Sequence, residues 1–161
     1  MQTGRPLFAT MWKNFNTVFG NGSLASVGAT IGGKVEANIR LGSTNPALGF
    51  TNGCAIRMSY SLNHSGVYIT NGEWKTSSGS DGRRYIFRVR DLRKFLMQRF
   101  GNPDHTSATP RPTVFSGMKG ILVFTVDCAD ASGHATLWDR TMCADHCYFP
   151  QASEASLWLL N

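Results

Sequence analysis

Apolar residues recur at Phe8, Met11, Trp12, Phe15 and Phe19, a spacing of three and four that lays them along one stripe of an α-helix. Asn21-Gly22 closes that stretch. Val27, Ile31 and Val35 continue the helical period, and Gly28, Gly32 and Gly33 among them either weaken the helix or admit a close neighbour. Residues 42–53 lose the period and fill with Gly, Ser, Thr, Asn and Pro, so they read as a loop. Ala55, Met58 and Leu62 restore it, predicting a helix that begins around Cys54 and closes at Asn63-His64-Ser65-Gly66.

In the second half the period changes. After a polar loop over residues 76–82, Tyr85, Phe87 and Val89 alternate with Ile86 and Arg88, the pattern of a strand. Asp91 is placed to cap a helix containing Leu92, Phe95, Leu96 and Phe100. Residues 102–112 hold three of the six prolines and read as a loop. Residues 121–126 are continuously apolar and short enough for a buried strand, and residues 134–138 and 157–160 predict two more. Helices first and strands afterwards predict an α+β fold, N-terminal helices packed on an antiparallel β-sheet. No repeat and no linker divides the 161 residues, so residues 1–161 are expected to form a single domain.

Composition narrows the partners. The 16 Lys and Arg exceed the 10 Asp and Glu by six, a positive surface that attracts anions without choosing among them. Seven of those cations are Arg83, Arg84, Arg88, Arg90, Arg93, Lys94 and Arg99, read either as the solvated face of a strand and helix or as a docking face for an acidic substrate. The interleaved Tyr85, Phe87, Phe95 and Phe100 fit an apolar face better than an exposed base-stacking platform, and no nucleic-acid motif is present, so no nucleic-acid partner is expected. No segment approaches the ~18 uninterrupted apolar residues of a membrane span, so no membrane insertion is expected. The first ten residues carry one Arg and no apolar run, so synthesis without a secretory signal is expected.

Candidate chemistry centres on two residues. Cys54 stands where a loop enters a helix, and the unpaired N–H groups and positive dipole end there favour a thiolate and can receive an oxyanion. His134 follows Gly133 on a predicted strand and shares a face with Thr136 and Trp138. A helix cysteine followed by a strand histidine is the chain order of papain-like sites. A third group should hold the imidazole. Asp139 lies about 16 Å along the strand and on the opposite face. Asp145 is better placed: a two-residue turn at Asp139-Arg140 would pair Trp138 with Thr141 and His134 with Asp145, whereas a loop one residue longer would bring His146 opposite. Cys143 and Cys147 would lie about 13 Å apart in an extended strand, too far to bridge, while a tight turn through Asp145 would join them. Zinc is the rival use of Cys143, Cys147, His134, His146 and Cys128, but the second short ligand pair of a structural site is missing, so no metal or cofactor is expected. Cys128 otherwise reads as a buried cysteine ending a core strand.

The stretches Val27-Gly28-Ala29-Thr30-Ile31-Gly32-Gly33, Cys54-Ala55-Ile56-Arg57-Met58-Ser59-Tyr60, residues 85–91, residues 117–123, Gly133-His134-Ala135-Thr136-Leu137-Trp138 and Cys143-Ala144-Asp145-His146-Cys147 occur in one order. In these the chain resembles the fourth family of type VI secretion amidase effectors, compact NlpC-type members of the papain-like peptidases. The resemblance implies a papain-like domain with a Cys54–His134–Asp145 triad and a Cys143–Cys147 disulfide. It implies hydrolysis of the D-glutamate–meso-diaminopimelate amide in peptidoglycan stem peptides, delivery by the type VI secretion apparatus into a target cell's periplasm, and a cognate immunity protein. Ala55 departs from the proline the family often carries there. The alternatives are a papain-like domain that transfers acyl groups, or an inactive one that binds the cell wall.

Overall fold

The computed structural model describes residues 4–126 and 133–161, so Cys128 lies outside the described residues. Helix α1 spans Phe8–Phe19 and buries Met11 and Phe15 of the apolar stripe together with Val18 beside it. The next helical stretch is two helices, α2 over Leu24–Ile31 and α3 over Gly33–Thr44. The break falls at Gly32 and Gly33, with φ of 69° and 62°, a left-handed conformation that glycine adopts without strain. Gly33 also lies against another segment: a Cβ there would sit 2.6 Å from the Gly79 carbonyl carbon. Helix α3 runs two residues past Gly42, into the segment read as a loop. Gly42 is buried in that last turn, where it meets the Phe50 backbone.

Helix α4, Cys54–Asn63, begins at the cysteine. Strands β1, Thr76–Ser78, and β2, Arg84–Ile86, form a two-stranded ladder. Strand β1 was invisible in the polar run because three hydrophilic residues carry no alternation. Helix α5, Val89–Phe100, starts earlier than a cap at Asp91 would allow. Arg88 is the N-cap, and Asp91 turns inward from the first turn, 1% exposed, to accept the Lys75 N–H and the Arg88 guanidinium.

The main sheet is antiparallel, in the order β3–β6–β4–β5, with β3 His105–Ser107, β4 Gly120–Val126, β5 His134–Trp138 and β6 Ala152–Leu159. Strand β6 begins five residues before the predicted start, and β3 lies in a stretch read as loop, pairing His105 with Leu157. Both faces of the sheet are covered. Ile121, Val123, Ala135, Leu137 and Trp158 pack against α1, α4 and α5. Leu122, Phe124, Trp138 and Leu157 pack against Phe115 and Phe149. Double coverage explains the apolar run from Ile121 to Phe124 in β4. Edge strand β5 packs against α4, and this contact sets the site.

Three of the seven cations of the basic run are tied to the fold, and Arg84 reaches the Thr76 hydroxyl at 3.4 Å. Arg83 stacks 3.9 Å from the Tyr68 ring centre, Arg88 pairs with Asp91, and Arg93 reaches Ser156 and Glu154. Arg90, Lys94 and Arg99 face solvent on α5.

Candidate active site

Cys54 opens α4 and is 1% exposed, its Sγ 4.0 Å from the carbonyl oxygen of Gly133. The contact joins the start of α4 to the start of β5, which brings His134 beside the thiol. Gly133 lets the chain enter β5 hard against β4: its φ is 152°, and a Cβ there would overlap the Phe124 carbonyl oxygen. His134 Nε2 lies 3.1 Å from Asp145 Oδ1, and the Thr136 hydroxyl donates to the same oxygen at 2.6 Å. Asp145 takes Nε2, which leaves Nδ1 as the ring nitrogen for Cys54, and a Cys54–His134 hydrogen bond contributes to the charge state of the ring. Tyr148 packs against the imidazole, ring centres 4.6 Å apart.

Burial opposes protonation of His134, but the hydrogen bonds to Asp145 and Cys54 and their negative charge outweigh it and raise the imidazole to about 9. Burial likewise works against ionisation of Asp145, yet the His134 hydrogen bond and charge, the Thr136 hydroxyl and the His146 N–H hold its carboxyl below the usual range. The pair therefore rests as imidazolium and carboxylate at neutral pH, the state that stabilises a neighbouring thiolate.

Asp145 arrives by a different route from the predicted two-residue turn. The bridge pairs Trp138 with Cys143, with residues 139–142 as the loop between, and the Asp139 carboxylate accepts the N–H groups of Thr141 and Met142. A regular hairpin continued from that register would leave Asp145 opposite Thr136 and set Cys147 opposite His134. Instead the chain leaves the ladder after the Ala144 N–H reaches the Leu137 carbonyl. A Cys143–Cys147 disulfide, Cα atoms 5.5 Å apart, then closes a turn with Asp145 at its middle. The two thiols weighed as zinc ligands are bonded to one another, and no metal-ligand cluster is found among the described residues. Cys147→Ser is expected to release the turn and lower kcat/KM about tenfold, since small misplacement of a catalytic partner costs up to ~100-fold. Unchanged turnover of the variant beside reduced and oxidised wild type would rule that positioning role out.

A cleft of about 560 Å³ opens over the site, walled by Asn52, Gly53, Arg57, His134, Asp145 and Tyr148. Only His134 and Asp145 among these carry a role in the sequence, and two of the others, Asn52 and Arg57, bear on the chemistry. Asn52 Oδ1 accepts the Cys54 N–H at 3.1 Å, so the donor expected to face an oxyanion is engaged at rest. An Asn two residues before a helix start is a recognisable turn signal that could have pointed to it. Arg57 follows Cys54 by three residues, one turn along the same helix face.

A cysteine at a helix start, an edge-strand histidine and an aspartate behind it, in that chain order on an α+β frame, are the arrangement of a papain-like cysteine hydrolase. A model of the family described as type VI secretion system (T6SS) amidase effector protein 4, Tae4, matches residues 50–158. The chain belongs to this family of peptidoglycan amidase effectors. The crystal structure of the type VI effector Tae4 from Enterobacter cloacae is 39% identical, with all of both chains covered and a TM-score of 0.88. The Tae4–Tai4 effector–immunity complex from the same organism is 37% identical over 98% of this chain and 99% of that one, with a TM-score of 0.88. The Tae4/Tai4 effector–immunity system from Salmonella typhimurium is also 37% identical, over 98% and 100%, with a TM-score of 0.87. No curated protein sequence matches significantly.

Proposed function

We propose that residues 1–161 act as one catalytic domain that hydrolyses the D-glutamate–meso-diaminopimelate amide of peptidoglycan stem peptides, with Cys54 as nucleophile, His134 as acid and base and Asp145 as the group that orients it. The observation that carries this reading is the continuous array from the Cys54 thiol through the His134 ring to Asp145 at the wall of the cleft. The thiolate attacks the γ-glutamyl carbonyl carbon, and the carbonyl electron pair moves to oxygen. The Cys54 N–H, held by Asn52 Oδ1 at rest, turns to that oxyanion, and the Asn52 side-chain amide stands on the cleft wall to donate beside it. Imidazolium His134 gives its proton to the departing diaminopimelate amine as the C–N bond breaks. Neutral His134 then takes a proton from water, whose oxygen attacks the thioester and expels the Cys54 thiolate.

The effector is secreted to a target cell, and its working place there is the periplasm, where the polymer lies and where oxidising conditions preserve the Cys143–Cys147 bond. A cognate immunity protein, as in the Tae4–Tai4 complexes, protects the producer, and components of the secretion apparatus load the chain. The test is digestion of purified peptidoglycan with products read by mass spectrometry. New amine and carboxylate ends at the D-glutamate–diaminopimelate bond, absent with Cys54→Ala, are expected. An intact wall with the wild type under oxidising and reducing conditions would discard the hydrolase reading in favour of a wall-binding domain.

A further inference from the structure

Among the described residues, Arg57 is the one Lys or Arg that lines the cleft, and no carboxylate there pairs with it. Its guanidinium lies over the Phe19 ring, 5.3 Å from the ring centre, and a Cβ on Gly53 would sit 3.6 Å from its Cζ, so it lies against the backbone just before the nucleophile. Its hydrogen bonds amount to one contact from Nη2 to the Gly22 carbonyl oxygen, long at 3.4 Å. Among the described residues, no carboxylate pairs with it, and its Nε is the one buried side-chain nitrogen or oxygen with no hydrogen-bond partner. Buried polar groups are otherwise almost always satisfied, and a guanidinium presents adjacent N–H groups in a fork that fits a carboxylate. Phe19 supports the flat face, and so weak a tether lets a small side-chain rotation turn the fork into the cleft.

We propose that Arg57 binds the free α-carboxylate of the γ-linked glutamate whose side-chain carbonyl Cys54 attacks, and so makes the enzyme specific for γ-glutamyl bonds with an unblocked α-carboxylate. The inference rests on the bond assigned above. In a γ-glutamyl amide the α-carboxylate is four bonds from the reacting carbonyl carbon, about 5 Å in an extended chain. Arg57 stands one helical turn from Cys54 on the cleft wall, a placement that suits this reach. An α-peptide bond or an α-amidated glutamate offers no anion there and leaves the guanidinium unpaired.

The test uses three synthetic tripeptides, L-alanyl-γ-D-glutamyl-meso-diaminopimelate, its glutamate α-amide and its analogue with lysine in place of diaminopimelate, with kcat/KM measured for wild type, Arg57→Met and Arg57→Lys. Wild type is expected to prefer the free acid by ~10- to 100-fold, the range of a charge-assisted hydrogen bond. Arg57→Met should bring the ratio to about one, and Arg57→Lys should retain part of it. A merely structural role would lower both rates together and leave the ratio standing. Equal rates on the free acid and the α-amide with wild type, or an unchanged acid–amide ratio in Arg57→Met, overturn the assignment while leaving the reaction in place. So does loss in Arg57→Met of a preference for diaminopimelate over lysine in place of the acid–amide preference, which would put Arg57 on the amine side. A wild type that cuts neither peptide, yet releases new ends from whole peptidoglycan elsewhere, removes the assigned bond itself.

Discussion

Cys54→Ala is expected to lower kcat/KM for stem-peptide hydrolysis by ~10⁴-fold or more, because removal of a nucleophile leaves only the rate that binding and oxyanion donors supply. The fold should survive. Cys54 is 1% exposed within the helix-side core, and its sulfur makes one weak contact, to the Gly133 carbonyl, besides the His134 ring. Loss of one buried atom of this size costs about 1 kcal/mol, within the stability of an ordinary domain. The measurement is single-turnover hydrolysis of a defined stem peptide beside thermal denaturation. A variant within tenfold of wild type would mean that another group attacks the amide, and the array would then be structural. Cys54→Ser separates size from chemistry: it keeps a hydroxyl where the thiol stood, and it should be nearly as inactive because serine is not ionised by an imidazolium.

Asp145→Ala is expected to reduce kcat about 10²- to 10³-fold, less than loss of the nucleophile, since an orienting member of a triad contributes less than the reacting groups. The pH profile should carry the clearer signature. The proposed mechanism needs protonated His134 beside the thiolate, so wild-type activity should fall as pH rises through about 9. The Asp145 hydrogen bond and charge are among the causes that hold the imidazole high against burial. Without them that alkaline limb moves to lower pH. An alkaline limb that stays in place in the variant would deny Asp145 this role. Stability follows the same sign. A His134 pKa raised above the unfolded value near 6.5 contributes in full below that pH and is lost through about 9. The lowered Asp145 pKa contributes above the usual carboxylate range and is lost as pH falls through it. The wild-type advantage in melting temperature over Asp145→Ala should therefore be widest between the carboxylate range and about pH 6.5.

The helices and central strands were legible where side chains repeat. The stripe of α1, the start of α4 at Cys54 and β5 over His134–Trp138 each follow from period or from a loop-to-helix change. Where period is absent the reading failed: β1 and β3 are short polar strands held by backbone pairing, and the division of α2 from α3 turns on two residues with positive φ. The cap of α5 was misplaced because Asp91, a good cap by type, is taken inward by Arg88 and the Lys75 N–H.

For the site, chain order and residue type suffice to nominate Cys54 and His134, since a helix start and a strand are local features that a periodic pattern exposes. Asp145 depends on the register of a loop, where a shift of one residue reverses which side chain faces inward. That register follows from the four-residue turn, the Trp138–Cys143 bridge and the disulfide together. Asn52 and Arg57 gain their places only when the start of α4, the Gly22 carbonyl and the Phe19 ring converge on one cleft. Periodicity reports what each residue does along its own element; contacts between distant segments are set by packing and close approach, and those exist only once the chain has folded.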